Sequence, residues 1–412
     1  MIYDLIIIGA GAAGLFAAAN APVHWNTLVL EKEHAPGQKL LLAGSGQCNL
    51  TNTRPIESFL SCYGENGKGL RPVLFPFSNL ALMAYFEERG LPLETRPDGK
   101  VFPASMESRQ VLDFFLSRCR ARGVEIRYKA AVREIRLQES PDGGRFCIIA
   151  EKNGPYLVRR VLVATGGASY PKTGSDGSFF SCLSPLGITL IPRRPALTPI
   201  FVQGYPYAAL SGISFPRCAV SIGPKSGSPS IRREGSLLLT HRGFSGPLIL
   251  ACSRYATQGS KLTIHYLPGQ SANGLRRLLL TEAAGDARQI VTLLESLTQL
   301  PHRFLEQLCQ RAIGKARGKA SSFSGREMGL LSKVLTADSY EISGTGGFSV
   351  AMVTAGGVAL DEINLRTMES RRYPGLYFAG EVLDVDGDTG GYNLQFAFSS
   401  AMGSVRAMVG DR

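Results

Sequence analysis

The 412-residue chain has 8 cysteines but no C-x-x-C pair, and 5 histidines but no H-x-x-x-H pair. Those absences argue against a structural zinc site and a dithiol redox motif, and they fit a reducing cytoplasm. No metal is expected. The first basic residue is Lys32, so the uncharged stretch Leu5–Val23 lacks the basic n-region of a signal peptide. No other apolar run is long enough to suggest a membrane span, and a cytoplasmic, non-membrane protein is expected. No internal repeat or low-complexity tract is present. Acid is also in short supply: 33 Asp and Glu stand against 45 Lys and Arg, a net charge of +12. Such a balance attracts anionic partners. The basic residues are mostly scattered, and the densest cluster is Arg311, Lys315, Arg317 and Lys319. We read that cluster as a solvated loop, so no stable nucleic-acid partner is expected. A flavoprotein acting on tRNA is the alternative the charge leaves open.

What is present is concentrated at the start. The apolar run Ile2–Ile8 has the make-up of a buried parallel strand. It breaks into Gly9-Ala-Gly11-Ala12-Ala13-Gly14, and Leu15–Asn20 can continue as a helix. A second apolar run, Thr27–Leu30, ends on Glu31, roughly 20 residues on, where the dinucleotide fingerprint places its acid. Gly9 allows the tight turn, Gly11 lets backbone approach a pyrophosphate, and Gly14 lets helix sit close on strand. The helix N-terminus offers N–H groups and a positive dipole end to phosphates. Glu31 can accept from ribose hydroxyls and would repel a 2′-phosphate, which favours FAD or NAD.

The segment 36–54, rich in Gly, Asn and Thr, reads as a long loop able to wrap the nucleotide. Lys32 beside the acid, and Lys39, Asn49 and Thr51 in the loop, are candidate cofactor contacts. Ser78 is placed to cap a helix ending near Arg89. Ser105 or Ser108 is placed to cap another ending near Arg122. Strands are predicted around Val124–Arg136, Phe146–Glu151 and Tyr156–Val158. A further buried strand from Arg160 ends in Thr165-Gly166-Gly167. A helix is predicted over Ser178–Leu186. From Pro192 to about His265 the chain turns β-like, and from Asn273 to Leu335 helical. Pro301 suits the first turn of a helix reaching Ile313. Strand character returns at Gly347–Thr354.

Near the end, Leu376-Tyr-Phe-Ala-Gly380-Glu381 is an apolar strand finishing in Gly-acid. A carboxylate there can accept from ribitol hydroxyls, and this second anchor favours FAD over NAD. No second complete G-x-G-x-x-G follows a strand, so a dedicated NAD(P) domain is not expected. Oxygen, or NAD(P)H as a transient co-substrate, is the expected electron partner. Gly391, Tyr392, Asn393 and Leu394 open a long apolar helix whose N–H groups can stabilise negative charge on a reduced flavin. His241 can exchange a proton near neutral pH and Arg242 can hold a substrate carboxylate. Structural turn chemistry is the competing reading for both. Ser245 can cap the helix that Pro247 begins. Cys48 is either reactive or simply small and buried. Tyr170 and Lys172 either flank the cofactor or belong to a loop.

These segments together resemble the HI0933-like flavoproteins, also labelled BaiN-type NAD(P)/FAD-dependent oxidoreductases or aminoacetone oxidase family enzymes. The resemblance rests on Gly9–Gly14, GQKLLLAGSGQCNLTN at 37–52, ATGGASYPKTGSDG at 164–177, LTHRGFSGPLIL at 239–250, AMVTAGGV at 351–358, TMES at 367–370 and GLYFAGEVLDVDGDTGGYNLQFAF at 375–398. It implies an α/β fold: a Rossmann-like FAD-binding domain in two segments, 1–190 and 346–412, with an insertion at 191–345. The insertion is expected to be β-rich and barrel-like at 191–270 and 336–345, and helical at 271–335. It implies a soluble FAD-dependent oxidoreductase moving hydride between flavin and a small amine or enone-like substrate. A non-catalytic flavin-binding protein is the bland alternative. Gln47 stands where the family usually has Arg, and Ile188 where it often has His, so the substrate does not carry over.

Overall fold

The computed structural model describes residues 2–138, 143, 145–152, 154–225 and 231–410. Residues 226–230 of the expected β-rich insertion lie outside the described residues. The chain divides into two compact units, one of residues 1–195 and 348–412 and the other of residues 196–347.

The first unit is built on a parallel sheet. Its strands run side by side in the order Leu376–Phe378, Tyr156–Val163, Ile2–Ile8, Thr27–Leu30, Glu125–Arg127. Counted along the chain that order is 5-4-1-2-3, and the chain reverses direction across the sheet beside the first strand. A sheet of this kind binds ligands at the carboxyl ends of its strands, at the reversal point. Both faces of the first strand are buried, which is why it reads as an unbroken apolar run. Leu5 and Ile7 face a layer holding Phe16, Phe115 and Phe398, while Ile6 and Ile8 face the opposite core. Phe16, on the helix Ala12–Ala18, sits 5.0 Å from the rings of both Tyr85 and Phe398. That contact ties the first helix to the last, Tyr392–Val409.

Several local expectations change. The segment 36–54 is not a plain loop. It holds a short helix at Gln38–Leu42 and a strand at Thr51–Asn52, which joins a small sheet with Lys100–Pro103 and Leu93–Thr95. Tyr156–Val163 is one continuous strand, and Val124–Arg136 divides into Glu125–Arg127 and Val132–Leu137. The helix after Ser178 is a single α-turn, Phe180–Leu183, followed by a 3-10 turn. The late strand runs Val353–Val358. Ser78 does cap its helix, accepting from the Ala81 N–H. Neither Ser105 nor Ser108 caps Ser108–Ala121: the Ser108 hydroxyl donates instead to the Leu41 carbonyl.

Among the described residues the second unit is a closed six-stranded barrel with one short helix, Pro247–Cys252, and four longer ones, Ala272–Ala283, Ile290–Thr298, His302–Ile313 and Gly325–Thr336. The barrel-like expectation is borne out. Pro301 stands at the N-cap of its helix. Ser245 lies in a short strand and caps nothing, and Gly246 takes the cap position. Asp338, 3% exposed, gathers the unit's polar core. One oxygen accepts from the hydroxyls of Tyr207, Tyr266 and Tyr340 and from Arg311. Removing one partner of so buried a set leaves the others unsatisfied.

The last of the four helices opens on a reciprocal cap between Ser324 and Glu327. Lys315, 2.7 Å away, and the two Ser324 donors hold the Glu327 carboxyl down at about 2. Its contribution is therefore present above the ordinary glutamate range and lost as pH falls from 4.5 toward 2. Glu327→Gln should flatten that part of the acid limb. Thermal melts of the two proteins between pH 2 and 5 check this, and parallel curves would reject it.

Candidate active site

The carboxyl ends of the parallel strands finish level. The Gly9 N–H donates to the Leu30 carbonyl, that of Ala164 to Ile8, and that of Ala379 to Val163, at 2.8–3.0 Å. Three Gly-containing turns are thereby brought to one edge. Gly9 has φ +103°, and a Cβ there would sit 2.6 Å from the Ala164 carbonyl. A Cβ on Gly14 would lie 1.9 Å from the Gly9 carbonyl oxygen. Gly380, at φ +74°, lies against Ala13, where a Cβ would come within 3.0 Å. The Gly-acid turn thus touches the fingerprint helix. Gly11 differs from its neighbours: a Cβ there would meet nothing within 4 Å. The helix it caps has no side-chain cap and no acid in its first turn. Such a terminus leaves its first N–H groups without intrahelical partners.

Glu31 closes one side. Its two oxygens accept from the Ala10 N–H (2.7 Å) and the Glu33 N–H (2.8 Å). Burial pushes its carboxyl above the usual range, against the pull of those two bonds. Each oxygen keeps acceptor capacity. Lys32 turns away to Asp176 (2.6 Å) and Ser178 (3.2 Å).

Glu381 is more heavily committed. One of its oxygens accepts from the Ser169 hydroxyl and the Thr354 N–H, both at 2.8 Å. The other accepts from Lys39 at 2.6 Å. This leaves an acceptor position only on the oxygen shared with Lys39. Gly167 permits the packing, because a Cβ there would fall 2.4 Å from the Thr354 hydroxyl. Ser169 and Thr354 were not singled out in the sequence, and no local signal marks them. Beside this network the hydroxyls of Thr165 and Ser175 are buried and find no partner among the described residues. A Cβ on Gly166, φ +73°, would be 3.2 Å from the Ser175 oxygen.

The long helix starts at the same edge. The Asn49 amide, in the orientation that satisfies both neighbours, accepts from the Gly391 N–H and donates to the Thr51 carbonyl, each at 3.0 Å. Gly391, φ +93°, leaves no room for a Cβ, which would lie 2.5 Å from that carbonyl. The Thr51 hydroxyl donates to Gln395 at 2.6 Å. The Tyr392 carbonyl accepts from Tyr63. The Asn393 amide clasps both the N–H and the carbonyl of Gly387. Leu394 packs against the neighbouring apolar core. No side chain caps the helix and no acid sits in its first turn.

Cys48 is fully buried and burial pushes its thiol far up, so it is a small core residue and not a nucleophile. It nonetheless holds φ +62°, as does Ser45, at φ +58° between the positive-φ glycines Gly44 and Gly46. Tyr170, also at positive φ, donates its N–H to the Phe348 carbonyl, and Lys172 is exposed in the following turn. In the second unit His241 and Arg242 are exposed in a tight turn closed by Thr240 and Gly243. The Arg242 guanidinium lies over Phe201 at 5.2 Å, and neither residue pairs with an acid among the described residues. The basic cluster is partly spoken for. Arg311 binds Asp338 and Tyr340, and Lys315 binds Glu327. Reading Arg311 as part of a solvated loop is therefore corrected. Among the described residues no group of His, Cys, Asp and Glu is suited to a metal, and no helix is long and apolar enough to cross a membrane.

Comparison with known proteins follows the same lines. The family description "HI0933-like protein Rossmann domain" matches residues 3–407. A ribosomal RNA dihydrouridine synthase of Escherichia coli is 31% identical, over 99% of this chain and 98% of its own. A 3-dehydro-bile acid delta(4,6)-reductase of Clostridium scindens is 30% identical, over 97% and 98%. Among solved structures, a 3-ketosteroid delta1-dehydrogenase from Sterolibacterium denitrificans superposes with a TM-score of 0.50 at 13% identity, over the whole of both chains, which shows a shared fold.

Two glycine substitutions separate space for a ligand from space needed to fold. Gly14→Ala forces backbone apart and should yield little folded protein. Gly11→Ala should keep the wild-type melting temperature without cofactor but weaken FAD binding by on the order of tenfold, about 1.4 kcal/mol. Fluorescence titration with FAD checks this, and unchanged affinity in Gly11→Ala would count against a pyrophosphate at that turn.

Proposed function

The chain belongs to the HI0933-like Rossmann family, a family of flavin-dependent oxidoreductases, and from that premise we propose that it hydrogenates a carbon–carbon double bond conjugated to a carbonyl in a small organic substrate. The observation behind this reading is the convergence of Gly9–Gly14, Thr165–Gly167 and Gly380–Glu381 on one sheet edge. Both named relatives supply the direction of the reaction, since a dihydrouridine synthase and a delta(4,6)-reductase each add two hydrogens across a double bond.

FAD fits the residues present. The open face of Gly11 suits a pyrophosphate, and the buried, unpartnered hydroxyls of Thr165 and Ser175 suit a polar ligand. Bound there, FAD supplies a two-electron centre that takes up and gives out hydride. The chain's own groups do the rest. N–H groups at the start of Ala12–Ala18 hold the phosphates, and Glu31 accepts from ribose hydroxyls with its remaining lone pairs. Lys39 neutralises Glu381 and fixes it against Ser169. Asn49 and Thr51 lock the start of the long helix. The helix dipole and first-turn N–H groups would favour negative charge on a reduced flavin bound at that end. NAD(P)H, docking transiently, is the electron donor in this reading.

Charge favours one second reading, in which the double bond belongs to a uracil base in RNA. Residues 196–347 hold 17 Lys and Arg against 8 Asp and Glu, so this unit carries +9 of the chain's +12. Under it, RNA binding should weaken steeply between 50 and 200 mM salt. A filter-binding assay with ribosomal RNA that shows no binding at the lower salt would remove this reading.

The test of the main reading is anaerobic reduction. Purified protein should show a flavin spectrum that bleaches rapidly with NADH or with NADPH, and then recolours with an enone. No bleaching by either, with fast peroxide formation after chemical reduction, would replace the reductase by an oxidase of small amines. Protein that neither carries FAD nor takes it up would overturn both.

A further inference from the structure

Arg96 takes part in no ion pair among the described residues. Arg96 follows the edge strand Leu93–Thr95 of the small sheet. Its guanidinium lies over the Phe102 ring at 4.3 Å. Its Nη2 donates to the Gln47 side-chain oxygen at 3.0 Å and approaches the Met106 sulfur at 3.8 Å. Its own backbone N–H is fixed to the Lys100 carbonyl. The nearby acid, Asp98, is already taken by Lys100 at 2.6 Å. Nη1 and Nε donate to nothing among the described residues, so three of five N–H donors stay open. The side chain is half-buried and aimed by its contacts, which limits the entropy lost when a ligand binds.

Its setting connects it to the chemistry. The Phe102 ring beneath it also contacts Gly44: a Cβ on Gly44 would lie 3.4 Å from that ring and 2.9 Å from the Asn49 nitrogen. Asn49 in turn holds the Gly391 N–H at the start of the long helix. Gln47, the direct partner of Arg96, stands in the same left-handed loop, between Gly46 and Cys48. A planar fork with a free edge, in no ion pair among the described residues and with Asp98 held chiefly by Lys100, is the preferred partner of an oxyanion.

We propose that Arg96 is the substrate-anchoring residue of this site and binds an oxyanion, a carboxylate or a phosphate, carried by the substrate away from the double bond. The proposal rests on the reductase reading above and deepens it: the substrate is an acid. Gln47 acts as a positioning residue by holding Nη2.

The experiment uses the FAD-loaded enzyme and two matched pairs of probes, read by perturbation of the flavin spectrum. One pair is uridine 5′-monophosphate against uridine, and the other is a 3-oxo-4-ene steroid acid against its neutral methyl ester. Wild-type protein should bind the anionic member of one pair at least about tenfold more tightly, and the pair that does so identifies phosphate or carboxylate. Arg96→Gln should abolish the preference while FAD content and the bleaching rate with NAD(P)H stay at wild-type levels. Arg96→Lys should keep part of it, because charge survives without the fork. An anion preference that persists in Arg96→Gln overturns the proposal, as does its absence from both pairs in the wild type. Loss of FAD binding or of nicotinamide bleaching in the wild type would instead strike the reductase reading.

Discussion

The approach of Gly14 to the carbonyl of Gly9 is the constraint on which the first unit depends. It sets helix Ala12–Ala18 directly on the end of the first strand. That placement lets Phe16 reach Phe398 and so seats the last helix, and it puts Ala13 where Gly380 can close against it. One missing side chain therefore governs contacts with two segments more than three hundred residues further along the chain. Close packing makes such a contact unforgiving, since protein interiors have no slack to absorb an added methyl. The open face of Gly11 is the exception: within a single turn one glycine is required by packing and another is not.

Charge at the site is managed by pairing over long sequence distances. Glu381 would be costly to bury alone. Lys39, Ser169 and the Thr354 N–H surround it, so this edge of the sheet is polar yet locally neutral. The second unit solves the same problem around Asp338 with three tyrosines and an arginine. The buried Asp338 and the partly buried Glu381 are each met by several donors at once. Arg96 departs from that pattern, which is what marks it.

Much of this was legible in the residues. Buried parallel strands announce themselves as apolar runs, and the glycine turns that end them leave little choice of conformation. The long final helix was equally plain. What escaped reading was set by partners distant in sequence. The segment 36–54 looked structureless because its helix is anchored from outside, by the Gly37 N–H on the Ala10 carbonyl and by Ser108 on Leu41. Ser45 and Cys48 carry no composition signal for their left-handed backbone. Arg311 looked like part of a solvated charge run because Asp338 lies 27 residues further on. Lys39 and Glu381 are 342 residues apart, and nothing local in either predicts the other. His241 and Arg242 are marked only by residue type, and the structure places both exposed in a turn closed by Thr240 and Gly243.

The sheet order also bears on how the protein is made. Tyr156–Val163 is flanked on one side by the first strand and on the other by Leu376–Phe378. During synthesis the second neighbour does not exist until more than two hundred further residues have been joined. Until then Val161–Val163, beyond the stretch already paired by Phe146–Ala150, presents an open hydrogen-bonding edge, and Phe16 lacks Phe398. The barrel of residues 196–347 contains all of its own strands and can close first. Chains are made at about 5–20 residues per second, so the nascent first unit waits with that edge unpaired for tens of seconds. An open edge is a template for unwanted pairing with another chain. Stalling of synthesis anywhere between Val163 and Leu376 therefore prolongs that exposure.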